Sequence, residues 1–154
     1  MGFTSSAEVT KYIGGIFETA FADPEIATKD LINTWLTAPA SAGIGIPANR
    51  PSAGVAPAYV QVAWDGTPVE TEIIQTALIR ITYWAAKRAD GKSSTSEAKR
   101  GAIDLRGRLL GYQDGAVISD ISRGLGVIPG RDPDTGNELA SFAVRVSVRS
   151  TPLT

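Results

Sequence analysis

The sequence predicts an α+β fold: a mainly antiparallel sheet of about four strands, arranged as two β-hairpins and packed with two to three helices. Three observations carry that prediction. Near the end of the chain Phe142, Val144, Val146 and Val148 alternate with Ala143, Arg145, Ser147 and Arg149, the period of a strand with one face in a core. Earlier runs repeat apolar residues at i, i+3, i+4 and i+7, the period of an amphipathic helix. Asp65-Gly66 stands between two alternating runs and offers hairpin-turn chemistry.

Taken in order, "SSAE" at 5–8 reads as a capping box before Val9, Tyr12, Ile13, Ile16, Phe17, Ala20 and Phe21, which predicts an amphipathic helix over 6–22. Gly14 and Gly15 weaken it by roughly 1 kcal/mol each relative to alanine. Pro24 suits the first turn of a second helix, 24–38, with Ile26, Leu31, Ile32, Trp35 and Leu36 as its buried stripe. Residues 39–57, rich in Pro, Gly, Ala and Ser, form a long loop that Ile44 and Ile46 could fasten as a short strand. Residues 58–85 read as a hairpin turning at Asp65-Gly66, and 87–96 as a polar loop. Ser94 and Glu97 form a capping box for a helix reaching about 110, with Ala98, Ala102, Leu105 and Leu109 on one face. Residues 116–128 read as a strand with bulges at Gly124 and Gly126, then a turn at 129–136 and the closing strand. A regular last strand at a sheet edge would invite pairing beyond its own chain.

The chain has 154 residues, enough for one domain (1–154) with a sizeable core. It has no cysteine and no histidine, which removes disulfides, thiolate nucleophiles and the commonest general base and metal ligand. A cysteine-free chain fits an intracellular protein. The net charge of −1 is unevenly spread: residues 1–72 hold 8 acidic and 3 basic side chains, residues 73–154 hold 8 and 12. Such polarity suits head-to-tail or stacked assembly. No run of 18 apolar residues exists, so no membrane partner is expected. Met1-Gly2 with Ser6 fits the permissive myristoylation pattern without any supporting membrane signal.

The candidate chemical motifs favour plain structural readings. "GLGVIPG" at 124–130 puts Pro129 at the position where G-x-G-x-x-G needs its third glycine and opens no helix, so a bulged strand is expected. "DPDTG" at 132–136 spaces carboxylates as a calcium loop does, but Gly136 comes one residue early and Ala143 stands where the closing glutamate belongs. A turn explains it better: Pro133 presets φ, Asp132 and Asp134 cap amides, and Gly136 takes positive φ. Asp114 with Asp120 is an arbitrary carboxylate pair, and Ser93, Ser94 and Ser96 lack a base. No enzyme, cofactor or metal is therefore expected. Lys99, Arg100, Arg106 and Arg108 read as a solvated helix face, and a sequence pI near 5.4 argues against a nucleic-acid footprint.

The ordered set "LINTWL", "GIGIPANRP", "AYVQVAWDG", "IIQTALIRITYWA", "SEAKRGAIDLRGRLL" and "SDISRGLGVIPGRDPDTGNELASFAVRVSVRS" resembles the tail terminator proteins of long-tailed bacteriophages, particularly those of actinobacterial hosts. The resemblance covers roughly residues 26–150, with the turn Pro129–Gly136 before a valine-alternating strand as its main feature. It implies an α+β subunit that joins a homohexameric ring on the last ring of a finished tail tube, stops tube growth and offers the head-joining surface. The implied partners are copies of itself, the tail tube protein and a head-completion (stopper) protein, with DNA only passing through the channel. The implied location is the head-proximal end of the virion tail, after assembly in the bacterial host cytoplasm. Three regions would carry the contacts: loop 87–96 with Lys87, Arg88 and Lys92; the turn region with Arg131, Asp132 and Asp134, together with Arg123; and the polar face of the last strand, Arg145 and Arg149. Alternative readings are another connector component, a tail-tube-like subunit, or a small ligand-binding α+β domain of the host cell.

Overall fold

A computed structural model of the chain describes residues 9–13, 18–47, 50, 54–70, 74–113 and 115–152. The strands are β1 (Val9–Ile13), β2 (Glu18–Ala22), β3 (Ser41–Ile44), β4 (Tyr59–Glu70), β5 (Ile74–Trp84), β6 (Ile118–Arg123), β7 (Ile128–Arg131) and β8 (Glu138–Pro152). The helices are α1 (Pro24–Asn33) and α2 (Thr95–Leu110). The fold remains broadly α+β, but the four-strand antiparallel sheet is overturned. Among the described residues the chain is mostly β, a mixed sheet in the order β1-β2-β8-β5-β4-β3 with β6 and β7 also paired to β8. The β3–β4 pair is parallel, and among the described residues two helices accompany the sheet, at the low end of the two to three expected.

The largest departure is the first predicted helix. In place of a helix over 6–22, β1 and β2 pair antiparallel from Val9↔Ala22 to Ile13↔Glu18, and β2 joins the end of β8 through Phe21↔Ser150 and Thr19↔Pro152. Two forces defeat the helical period here. A mid-helix glycine pair is costly, and Val9, Thr10, Tyr12 and Ile13 favour the pleated backbone. The end of β8 also offers ladder bonds, and Phe21 is fully buried. The Ser5–Glu8 capping box and Gly14-Gly15 lie outside the described residues.

Helix α1 starts where Asp23 Oδ1 accepts from the Glu25 and Ile26 amides at 2.8 and 3.3 Å. It ends at Asn33, earlier than the apolar spacing implied, and Trp35 and Leu36 pack on the core from outside it. The Glu25 carboxylate accepts from the Trp64 N–H at 2.7 Å, fixing α1 against β4. The chain must travel back along β3 before β4 can pair with it in parallel, which accounts for the long connection.

Asp65-Gly66 is a bulge, not the hairpin turn. Strand β4 continues to Glu70, and the register against β5 shifts at Gly66, whose φ is 146°. Helix α2 matches its predicted face, with Ala98, Ala102, Leu105 and Leu109 buried. Ser94 Oγ caps the Glu97 amide at 3.2 Å, while Glu97 Oε1 turns outward to accept from Ala86 N. The single strand predicted over 116–128 divides into β6 and β7. The two are joined through Gly124, where a Cβ would lie 2.6 Å from the Ala143 carbonyl oxygen.

Strand β8 behaves as its alternation dictates: Phe142, Val144, Val146 and Val148 are at most 2% exposed. It is not an edge, however. Strand β5 pairs along one side from Ile74↔Arg149 to Trp84↔Leu139, and β7, β6 and β2 share the other. Both helices pack on the valine face, against Val60, Val62, Ile79 and Ile81. Each such buried side chain contributes about 1.5–3 kcal/mol.

Helix α2 comes close to β5 at Gly101, where an added Cβ would meet the Tyr83 ring at 2.5 Å; at Gly107 nothing lies within 4 Å. Gly101→Ala is therefore expected to destabilise by about 1–2 kcal/mol, and Gly107→Ala to stabilise by about 0.5–1 kcal/mol. Urea unfolding checks both, and like-signed shifts would deny the close approach. Burial, aided by Glu97 and Asp104, pushes the Tyr83 hydroxyl above its usual 10.0. Its raised folded value means stability held below pH 10 and lost as the pH climbs beyond it. Alkaline titration of Tyr83→Phe should show a flatter loss than the parent.

Candidate functional site

The loop 39–57 contains one charged residue, Arg50, and that guanidinium organises one end of the molecule. Its Nε donates to Asn137 Oδ1 at 2.7 Å, Nη1 to the Pro57 carbonyl at 2.7 Å and Nη2 to the Ala85 carbonyl at 2.6 Å. Its carbon also stands 5.8 Å from the Trp84 ring centroid, a cation–π distance. Asn137 is fully buried and donates from Nδ2 to the carbonyls of Ala85 and Glu138. Burial lowers the Arg50 pKa from its usual value. The sequence reading missed both residues. A lone cation in an otherwise uncharged Pro/Gly loop was the available signal.

Upon this anchor the two loops predicted to carry contacts are fastened together. Lys87 is only 2% exposed: its backbone bridges to Ala56, and Nζ donates to the Thr135 carbonyl at 3.0 Å. Its charge holds the turn in place instead of facing a partner. Ser93 Oγ accepts from the Glu138 amide at 2.7 Å. The DPDTG segment is the turn its chemistry predicted. Asp132 Oδ2 accepts from the Thr135 amide and hydroxyl at 2.9 and 2.5 Å, and Gly136 has φ 69°. The capping is by Asp132; Asp134, also expected to cap an amide, is instead exposed at the tip of that turn.

Between the loops lies an open cleft of about 470 Å³ lined by Arg88, Asp90, Lys92, Ser93, Arg131 and Glu138, among others. Arg131 grips Glu138 Oε1 through Nε and Nη2 at 2.7 and 2.5 Å, whereas Arg88 and Lys92 are exposed on the rim. Lys87, Arg88, Lys92, Arg131, Asp132 and Asp134 thus gather at one end. Arg123, Arg145 and Arg149 do not join them. Arg145 is exposed on β8 seven residues beyond Glu138, roughly 20 Å along the strand. Arg123 is exposed at the end of β6, and Arg149 Nε donates to the Gly115 carbonyl at 3.3 Å.

The sheet face away from the helices is polar in its middle. Thr76 pairs with Ser147 and Thr82 with Ser141, each at 2.8 Å, and Arg80 meets Asp65 at 3.1 Å. Towards β7 it becomes an apolar groove of about 360 Å³ whose lining includes Leu78, Leu125, Ile128 and Leu139. The serines weighed as nucleophiles serve the backbone: Ser93 and Ser94 accept from amides, and Ser96 bonds Ser94. Of the carboxylate pair weighed above, Asp114 lies outside the described residues. Among the described residues, no three acidic side chains converge as a metal site would need. No described helix is long and apolar enough to cross a membrane. The arrangement fastens two loops distant in sequence at one charged end.

No protein-family model matches the chain, and no curated protein matches it.

Arg50→Ala removes three charge-assisted donors and is expected to cost about 2–3 kcal/mol in urea unfolding. Arg50→Lys should recover little, since one ammonium cannot serve three divergent acceptors. A double-mutant cycle with Asn137→Ala should show coupling of about 1 kcal/mol or more. A cost below about 0.5 kcal/mol for Arg50→Ala would show that the loop is held by other contacts.

Proposed function

We propose that this chain is a structural protein that forms a homohexameric ring on a completed phage tail tube, ends tube polymerisation and provides the head-joining surface. It works in the head-proximal tail of the virion, with the tube protein and a head-completion protein as neighbours and DNA only passing through. The observation that carries the reading is the rigid charged end, where Arg88, Lys92 and Arg131 line one cleft beside an anchored turn. Two loops distant in sequence are locked there by Arg50, Lys87 and Ser93, so they meet a partner preorganised and lose little entropy on docking. The resemblance over residues 26–150 supplies the identity of that partner. The chain's polarity, acidic in its first half and basic in its second, supports stacking between unlike rings.

Electron microscopy of the purified protein mixed with tail tubes tests this. Single rings seated on tube ends are expected, and tubes so capped should stop growing. Extended tubes made of this protein alone would favour a tube subunit, and a monomer that never meets a tube would refute the proposal. Arg88→Glu with Lys92→Glu should abolish end-binding while leaving unfolding within about 0.5 kcal/mol of the parent, because both side chains are exposed.

A further inference from the structure

Two pairs of exposed large apolar side chains stand at different borders of the sheet, whereas Val55, Ile103 and Val117 are exposed elsewhere. On the β3 border Ile44 is 46% and Ile46 75% exposed; on the β6–β7 border Leu125 is 62% and Ile128 61% exposed. Strands β3 and β7 stand on opposite sides of the β8-β5-β4 body. The two borders differ in shape. Gly45, at φ 81° and with its carbonyl accepting from the Tyr59 hydroxyl at 3.2 Å, makes a fixed corner that presents Ile46 as a knob. The opposite border adjoins the groove of about 360 Å³ on the open sheet face, lined by Leu78, Leu125, Ile128 and Leu139 and flanked by the Asp65–Arg80 ion pair.

Both borders are also blunted against strand addition. The Asn33 side chain occupies the outward backbone groups of Ala42 in β3, accepting from its N–H at 2.8 Å and donating to its carbonyl at 3.1 Å. Pro129 removes an N–H from β7. What remains for contact is side chains: a knob at one end and a groove at the other. Each border is unlike itself and complementary to the other, so copies satisfy them only head to tail. The β3 side is the more acidic, with Asp23, Glu25 and Asp30 against Lys29; on the other border β6 carries Arg123 with Asp120, and the exposed Arg131 is paired with Glu138.

We propose that Ile46 of one copy, backed by Ile44, seats in the Leu78–Leu125–Ile128–Leu139 groove of the next copy. This contact rests on the ring reading and names the surfaces that close the ring. The cysteine-free chain allows a direct test, with association measured by mass across a concentration series and on tail tubes. Ile46→Glu and Leu125→Glu, both at exposed positions, should each weaken self-association more than tenfold without loss of folding. Mixing them should restore dimers and nothing larger, because each variant retains the opposite good border. Ile46→Cys mixed with Leu125→Cys should cross-link on mild oxidation, whereas neither alone should do so. Cross-linking in one variant alone, or absence of cross-linking in the mixture, overturns the contact. Assembly on tubes that survives both Glu variants overturns the contact and leaves the ring reading standing. A wild-type chain that neither self-associates nor docks on tubes overturns both.

Discussion

Every long-range feature of this fold depends on one strand being paired on both sides. Strand β8 gives one edge to β5 for its length and shares the other among β7, β6 and β2. Its valine face is the floor on which both helices rest. A register slip by one residue would turn Phe142 and the valines to the open face and bring Arg145 and Arg149 into the core. That penalty fixes β8, and β8 in turn fixes where each neighbour ends. The groove, the charged end and the N-terminal pair are then set out along one ruler.

A second constraint acts where the ladder cannot reach. At the β7 end, the carbonyls of Ala85, Pro57 and Thr135 belong to connections rather than to the ladder between paired strands, and each accepts from a cationic side chain. Arg50 and Lys87 are thus internal fasteners for irregular backbone. A buried or half-buried cation is tolerable when its donors are matched by carbonyls, and it becomes costly once they are not. The outward charge of the same end falls to Arg88 and Lys92, which have no such duty shown. Residues adjacent in sequence, Lys87 and Arg88, therefore do opposite work.

The parts of the fold legible in the sequence were those where local pattern and long-range environment agree. The β8 alternation, the α2 face and the DPDTG turn each follow from their own residues. The failures share one physical origin, since the deciding partner lay far along the chain. Residues 9–22 satisfy a helical period against weak local signals for strand, and what tips the balance, the vacant end of β8, lies far along the chain. Asp65-Gly66 has hairpin chemistry but spends it on a bulge, because β5 continues to pair beyond it. Arg50 was invisible as an anchor, since its three acceptors come from separate segments. Of the candidate surface residues, charge type and loop position were readable, but the direction of each side chain was not. Lys87 turned inward for that reason.

The blunted borders bear on how such a chain could assemble without running on. Pairing by strand addition repeats the ladder and has no built-in end, so sheets that join by open edges grow into fibres. A knob seated in a groove instead fixes one rotation between successive copies, and a fixed rotation either closes or winds. Asn33 on β3 and Pro129 in β7 weaken the first route at two opposite places, while Ile46 and Leu125 keep apolar surface available for the second. On the proposed reading this is the behaviour that a terminator needs. Its copies must hold one another tightly enough to form a ring, and the ring must not serve as a template for another of its own kind. The exposed Arg88 and Lys92 of the charged end belong to neither border strand, and on that reading they are left to meet a chemically different neighbour.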